Sequence, residues 1–255
     1  MDGGNTPALG RKVFFLHPSA FIQNTVIDDL VQQEFEIYLI KDEVKIHRLL
    51  KKYPDSIVFA CIDEALSPQQ WELWVRQVVE NKDAKDVGVG IISNSNTDSI
   101  RRLYTETYKV SCGFIPIKSD KNKVIKSLID ALNAAGAKGR RKYLRTNTQG
   151  DAKTTINLPL KDSYVTGKIH DISTLGLSCI FSQEIDLKKN TFLADLQIKL
   201  QSTLLKVEAI VFGSRMEEKQ RIYVLLFTPK TDFATRAKIR TFIQKVLQSK
   251  IDADS

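Results

Sequence analysis

From Lys12 onward, the chain alternates short apolar runs with stretches whose apolar residues recur every three or four positions. Val13-Phe14-Phe15-Leu16 is apolar, bounded by turn-prone residues and too short for a helix, which predicts a first strand. Phe21, Ile22, Val26, Ile27, Leu30 and Val31 then share one helical face. Further strands are predicted at 36–40, 57–62, 87–92 and 114–117. Between and after them, helices are marked by Val44, Ile46, Leu49 and Leu50, by Trp71, Trp74, Val75, Val78 and Val79, by Ile100, Leu103 and Tyr104, and by Val124, Ile125, Leu128, Ile129 and Leu132. Ser67-Pro68 supplies a helix cap and a proline at the first helical position. The third strand is apolar throughout, as covered faces require, and Pro116 places the fifth at a sheet edge. Strands alternating with helices predict a doubly wound, flavodoxin-like α/β domain over residues 11–135, with strand order 2-1-3-4-5.

The pattern changes at Ala134-Ala135-Gly136-Ala137-Lys138-Gly139, where small residues end the last helix. Residues 136–145 are read as a linker. Beyond it come six strand-like runs, 154–160, 164–172, 176–182, 192–201, 204–212 and 221–228, several alternating apolar with polar residues. Short strands at this spacing predict a small antiparallel barrel over 146–255. The barrel region closes with a helix after Thr231-Asp232, whose apolar face is Ile239, Phe242, Ile243, Val246 and Leu247.

Composition narrows the function classes. Hydrophobic residues at 42% and charged residues at 27% describe an ordinary globular chain. No apolar run approaches the ~20 residues that cross a bilayer, and the polar N-terminus lacks a signal-peptide layout, so a cytoplasmic protein without membrane insertion is expected. Cys61, Cys112 and Cys179 form no CxxC and sit in apolar runs, which predicts buried reduced thiols. His17, His47 and His170 have no metal-ligand spacing, and no cofactor is expected. A net charge of +8 suits an anionic partner. No glycine-rich phosphate loop and no Ser/His/Asp arrangement offers a catalytic reading, so a non-enzyme is expected.

One constellation carries chemistry. Gly139-Arg140-Arg141-Lys142-Tyr143-Leu144-Arg145 lies at the junction, and Asp171-Ile172-Ser173-Thr174-Leu175-Gly176 lies between two strands. Guanidinium groups are permanently charged donor forks that fit phosphate oxygens or the O6/N7 edge of guanine and stack on purine faces. A carboxylate is an acceptor-only group for guanine N1–H and amino donors, and a serine hydroxyl adds an adjustable donor or acceptor. Gly176 permits positive φ or a close backbone approach. Phosphates, a guanine edge and stacking faces together suggest a guanine nucleotide.

The RxxxR of Arg141 and Arg145, followed by the DxSxxG of Asp171, Ser173 and Gly176, resembles the signature of the PilZ family. That resemblance implies a six-stranded antiparallel barrel with a C-terminal helix and cyclic di-GMP as ligand. It further implies that Arg141 and Arg145 clamp phosphates and guanine faces, that Asp171 and Ser173 read a guanine edge, and that Arg140 is a third cationic contact, all converging on one pocket. The residues 11–135 resemble a response-regulator receiver whose chemistry is dismantled. The first strand runs into His17-Pro18-Ser19 where an acidic pair is expected, and the third ends in Ala60-Cys61 where the acceptor aspartate is expected. Asp63 and Glu64 follow too late, while Ser93 and Lys118 fit the pattern's hydroxyl and lysine positions. The expectation is a non-enzymatic cyclic di-GMP receptor that changes domain orientation or partner binding, with a protein partner at the N-terminal domain or barrel surface. The alternative is a basic nucleic-acid-binding regulator.

Overall fold

The structure, a computed structural model, describes residues 10–139, 141–160, 163–218 and 220–254. Arg140, expected as a cationic ligand contact, lies outside them. The described residues fall into two compact units, one up to Lys142 together with those from Gln248 onward, the other Tyr143–Leu247.

In the first unit, strands β1 (Val13–Leu16), β2 (Ile37–Ile40), β3 (Ile57–Cys61), β4 (Gly88–Ser93) and β5 (Phe114–Pro116) form a parallel sheet of order β2-β1-β3-β4-β5. This is the doubly wound order read from the sequence, with Pro116 on the edge strand. β1, β3 and β4 are buried along their whole length, which explains their unbroken apolar runs. Phe59 lies opposite Gly90 in the β3–β4 register, and a Cβ at Gly90 would come within 2.4 Å of the Phe59 ring. The missing side chain therefore makes room for Phe59 to stack on Phe15, with ring centroids 5.5 Å apart.

Helices α1 (Ile27–Gln32), α2 (Glu43–Lys52), α3 (Pro68–Val79), α4 (Asp98–Arg102) and α5 (Lys121–Ala134) connect the strands. α3 begins as its sequence predicts: Ser67 and Gln70 form a reciprocal capping box ahead of Pro68. Trp71 and Trp74 are buried edge to face at 5.8 Å. A π-helical turn, Ile22–Val26, leads into α1, and another, Leu103–Thr107, continues from the end of α4.

Two long-range ties in this unit have no periodic signature. The Arg11 guanidinium donates to the carbonyls of Ala135 at 2.6 Å, Ser56 at 2.9 Å and Asp86 at 2.6 Å, and also to that of Asp55. It thereby satisfies carbonyls at several segment ends with one planar fork. On the outer edge of β2, the Gln248 carboxamide accepts from Leu39 N–H at 2.9 Å and donates to Leu39 O at 3.1 Å. Tyr53 Oη–Asp254 at 2.8 Å and Lys52 Nζ–Asp254 at 2.7 Å fasten the residues just beyond.

The second unit is a barrel. β7 (Thr154–Pro159), β8 (Tyr164–Ser173), β9 (Gly176–Phe181), β10 (Phe192–Leu200), β11 (Thr203–Glu217) and β12 (Gln220–Phe227) close in the order β8-β7-β10-β11-β12-β9 and back to β8, all antiparallel. Ile156, Leu196, Ile198, Ala209, Val211 and Leu225 are among its fully buried interior residues. Ile239, Phe242 and Ile243 of α6 (Phe233–Ala253) join the same core, as their helical spacing predicts. Closure leaves no free edge around the ring.

Two features depart from the sequence reading. A further short strand, β6 (Arg145–Asn147), pairs with the end of β8, so Arg145 sits in a strand and not in a loose connection. β11 runs on past Phe212 to Glu217, because an irregularity between Val211 and Gly213 bends it and lets the exposed polar stretch continue pairing with β12.

Candidate functional site

The geometry of the DxSxxG segment begins with a bulge. β8 pairs with β9 at Ile169↔Cys179 and resumes at Asp171↔Ser178, so His170 is an extra residue. Side chains alternate along a strand, and without the extra residue Asp171 would share the inward face of Ile169. The bulge turns Asp171 out while Ile172 returns to the core. Thr148 holds this irregularity from the side: its N–H donates to His170 O at 2.9 Å and its hydroxyl to Ile169 O at 2.6 Å. Thr148 is itself buried.

Asp171 is met by side chains from two other strands. Arg145 Nη1, on β6, lies 3.3 Å from Oδ1. Ser178, on β9, donates to Oδ2 at 2.6 Å. His170 Nδ1 stands 3.5 Å from Oδ2, and its Nε2 faces the Gln149 carboxamide. The carboxylate is 15% exposed, against 49% for Arg145, so the acid is recessed and the guanidinium stands over it in solvent.

The hydroxyl expected to read a guanine edge is spent inside the turn. Ser173 Oγ donates to Gly176 O at 3.1 Å, accepts from Leu175 N–H at 3.3 Å, and is buried. Gly176 is required by close approach: a Cβ there would sit 2.2 Å from Leu225 O on β12. Arg236, at the start of α6, braces the same turn. Its guanidinium donates to Thr174 O at 2.6 Å, Thr231 O at 3.1 Å and Thr228 O at 3.2 Å. No sequence spacing marks Arg236, since contacts to distant backbone carbonyls leave no such signal.

The structure thus gathers Arg145, Asp171, Ser173 and Gly176 within the barrel unit. Arg141 is exposed and belongs to the residues that group with the first unit. The larger concavities described in the barrel unit lie elsewhere, one of about 340 Å³ lined by Phe181, Arg221 and Tyr223, another of about 320 Å³ lined by Glu208, Lys230 and Asp232.

At the receiver-like positions of the first unit, Cys61 is buried and its thiol is pushed up to about 12 by desolvation. Asp63 follows β3 in a turn, where Oδ1 accepts from the Ser93 hydroxyl and Oδ2 from Asn94 N–H, each at 2.7 Å. Lys118 is exposed. Among the described residues, no group of three or more His, Cys, Asp or Glu side chains is placed to hold a metal ion, and no helix is long and apolar enough to cross a membrane.

No family model and no curated protein matches the chain. Solved structures do. The chain is similar to PilZ-domain structures and to a chemotaxis receiver. The isolated PilZ domain of YcgR from Escherichia coli, with c-di-GMP, matches at TM-score 0.38 and 14% identity over 46% of this chain and 98% of that one. The inhibitor of motility MotI/DgrA of Bacillus subtilis matches at TM-score 0.37 and 17% identity, over 44% and 52%. The response regulator CheY4 of Vibrio cholerae matches at TM-score 0.40 and 13% identity, over 48% and 99%. The chain thus spans nearly all of the isolated PilZ domain and of the receiver, and about half of MotI.

Proposed function

We propose that this protein is a non-enzymatic receptor for cyclic di-GMP that binds the ligand on the outer surface of its barrel. The observation carrying this reading is the meeting of Arg145 and Asp171 at 3.3 Å, on strands β6 and β8, with the bulge at His170 turning the carboxylate outward. Arg145 of the RxxxR and Asp171 of the DxSxxG, apart in sequence, are neighbours on a closed antiparallel barrel. Chemically the pair supplies a donor fork for phosphate or a guanine face and an acceptor for guanine N–H groups. Arg141 supplies the second guanidinium of the pattern. Ser173 acts by shaping the turn, and Gly176 by letting the turn press against β12.

Isothermal titration of the whole protein with cyclic di-GMP, and with GTP as control, tests the reading. Saturable binding of cyclic di-GMP alone is expected. Arg145→Ala and Asp171→Ala should each cost at least about 1–3 kcal/mol of binding free energy, the scale of a lost charge-assisted contact. Unchanged affinity in both variants refutes the site. Hydrogen exchange over residues 141–147 should slow when ligand is present, as the cationic segment settles on an anion.

A further inference from the structure

We propose that Ser178 is a positioning residue that keeps Arg145 from closing on Asp171 and so preserves the preference for guanine over adenine; this rests on the receptor reading above. An arginine beside a carboxylate ordinarily takes both oxygens through two parallel N–H bonds. Here the contact is one-sided: Arg145 Nη1 reaches Oδ1 at 3.3 Å, while Oδ2 is held by the Ser178 hydroxyl at 2.6 Å. Ser178 lies directly across β8–β9 from Asp171 in the register and is buried. It therefore does not meet ligand, and it acts through Asp171. A hydroxyl on a strand backbone holds the plane of the carboxylate from behind, leaving Oδ1 as the oxygen on the Arg145 side.

The consequence is selectivity. A carboxylate oxygen attracts the N1–H and amino donors of guanine and repels the N1 lone pair of adenine, and discrimination grows when that oxygen is fixed. Without the Ser178 donor, the carboxylate is free to rotate and both oxygens can enter the Arg145 fork. The two recognition groups then satisfy each other, and neither presents a free face to a base. His170 cannot replace Ser178, because its Nδ1 stands at 3.5 Å from Oδ2, beyond a good hydrogen bond.

The experiment is titration of the full chain, as wild type, Ser178→Ala, Ser178→Thr and Asp171→Asn, with cyclic di-GMP and with cyclic di-AMP. Ser178→Ala should lose roughly tenfold in cyclic di-GMP affinity, the usual worth of a hydrogen bond to a charged group, and lose in parallel its preference over cyclic di-AMP. Ser178→Thr keeps the donor and should keep the preference. Hydrogen exchange across residues 164–181 should match wild type in both, since a merely structural role would move exchange and leave the preference alone. A Ser178→Ala protein that retains wild-type selectivity, or a Ser178→Thr protein that loses as much as Ser178→Ala, overturns the proposal. The outcomes separate its failure from that of the receptor reading: loss in Asp171→Asn without loss in Ser178→Ala removes Ser178 alone. Equal binding by wild type and Asp171→Asn removes the site and Ser178 with it, and a wild type that binds no cyclic di-GMP overturns both.

Discussion

Replacing Thr148 by valine keeps a β-branched side chain of nearly the same shape and removes a single hydroxyl. That hydroxyl donates to Ile169 O at 2.6 Å, beside the extra residue that turns Asp171 outward. Because Thr148 is buried, water cannot readily replace the lost donor. A buried carbonyl deprived of a partner costs about 1–3 kcal/mol, and the lower part of that range applies here because a carbonyl retains a second lone pair. A loss of about 1–2 kcal/mol corresponds to a roughly five- to thirty-fold acceleration of local amide exchange. Exchange followed by mass spectrometry should show this acceleration in peptides covering 165–178. Peptides from α3, in the other unit, should be unchanged. Cyclic di-GMP affinity should fall as well, since the bulge that aims the carboxylate is loosened. Unaltered protection over 165–178, or equal acceleration in α3, would show that Thr148 does not hold the bulge.

Three further outcomes follow from the same geometry. Arg236→Met leaves Thr174 O, Thr228 O and Thr231 O without their shared donor, and cyclic di-GMP affinity should drop by about ten- to a hundred-fold, the scale of one hydrogen bond from a charged group; wild-type affinity would sink this role. Arg11→Met should destabilise the first unit by about 2–3 kcal/mol, discounted for partial exposure. Both tryptophans lie in α3 of that unit, so a urea midpoint read by tryptophan fluorescence reports it directly, and an unshifted midpoint contradicts the reading. Burial raises the Cys61 thiol from 9.0 to about 12 in the folded chain. The unfolded thiol then loses its proton first as pH rises, so this group's contribution to stability falls between about pH 9 and 12. Native protein at pH 8 should resist alkylation at Cys61 until denaturant is added, and rapid modification without denaturant would refute the burial argument.

The elements of the first unit were legible from unbroken apolar strands alternating with helical spacings, and the barrel strands from their two-residue alternation. β6 was not legible: Arg145-Thr146-Asn147 carries no apolar alternation and becomes a strand only by pairing with β8. The bulge at His170 was invisible for a related reason, since one inserted residue looks like a small fault in alternation. Two members of the expected constellation, Arg145 and Asp171, meet at 3.3 Å because their short spacings fall on the paired strands β6 and β8. Their division of labour was not legible. Whether Ser173 faces outward or folds back on its own turn depends on Gly176 pressing against β12, a contact between segments distant in sequence. Arg11, Arg236 and Gln248 escaped notice because each works on backbone carbonyls or amides, and any residue type can supply those.

The Gln248 carboxamide imitates a peptide group: it gives and takes one hydrogen bond at Leu39, just as an adjoining strand would. β2 is the outermost strand of its sheet, and such rims invite other chains to pair. One glutamine near the C-terminus thus acts as a stopper against self-adhesion. Shortening the chain to residue 247 should bare that rim, and light scattering should then show association that rises with concentration more steeply than in the longer chain.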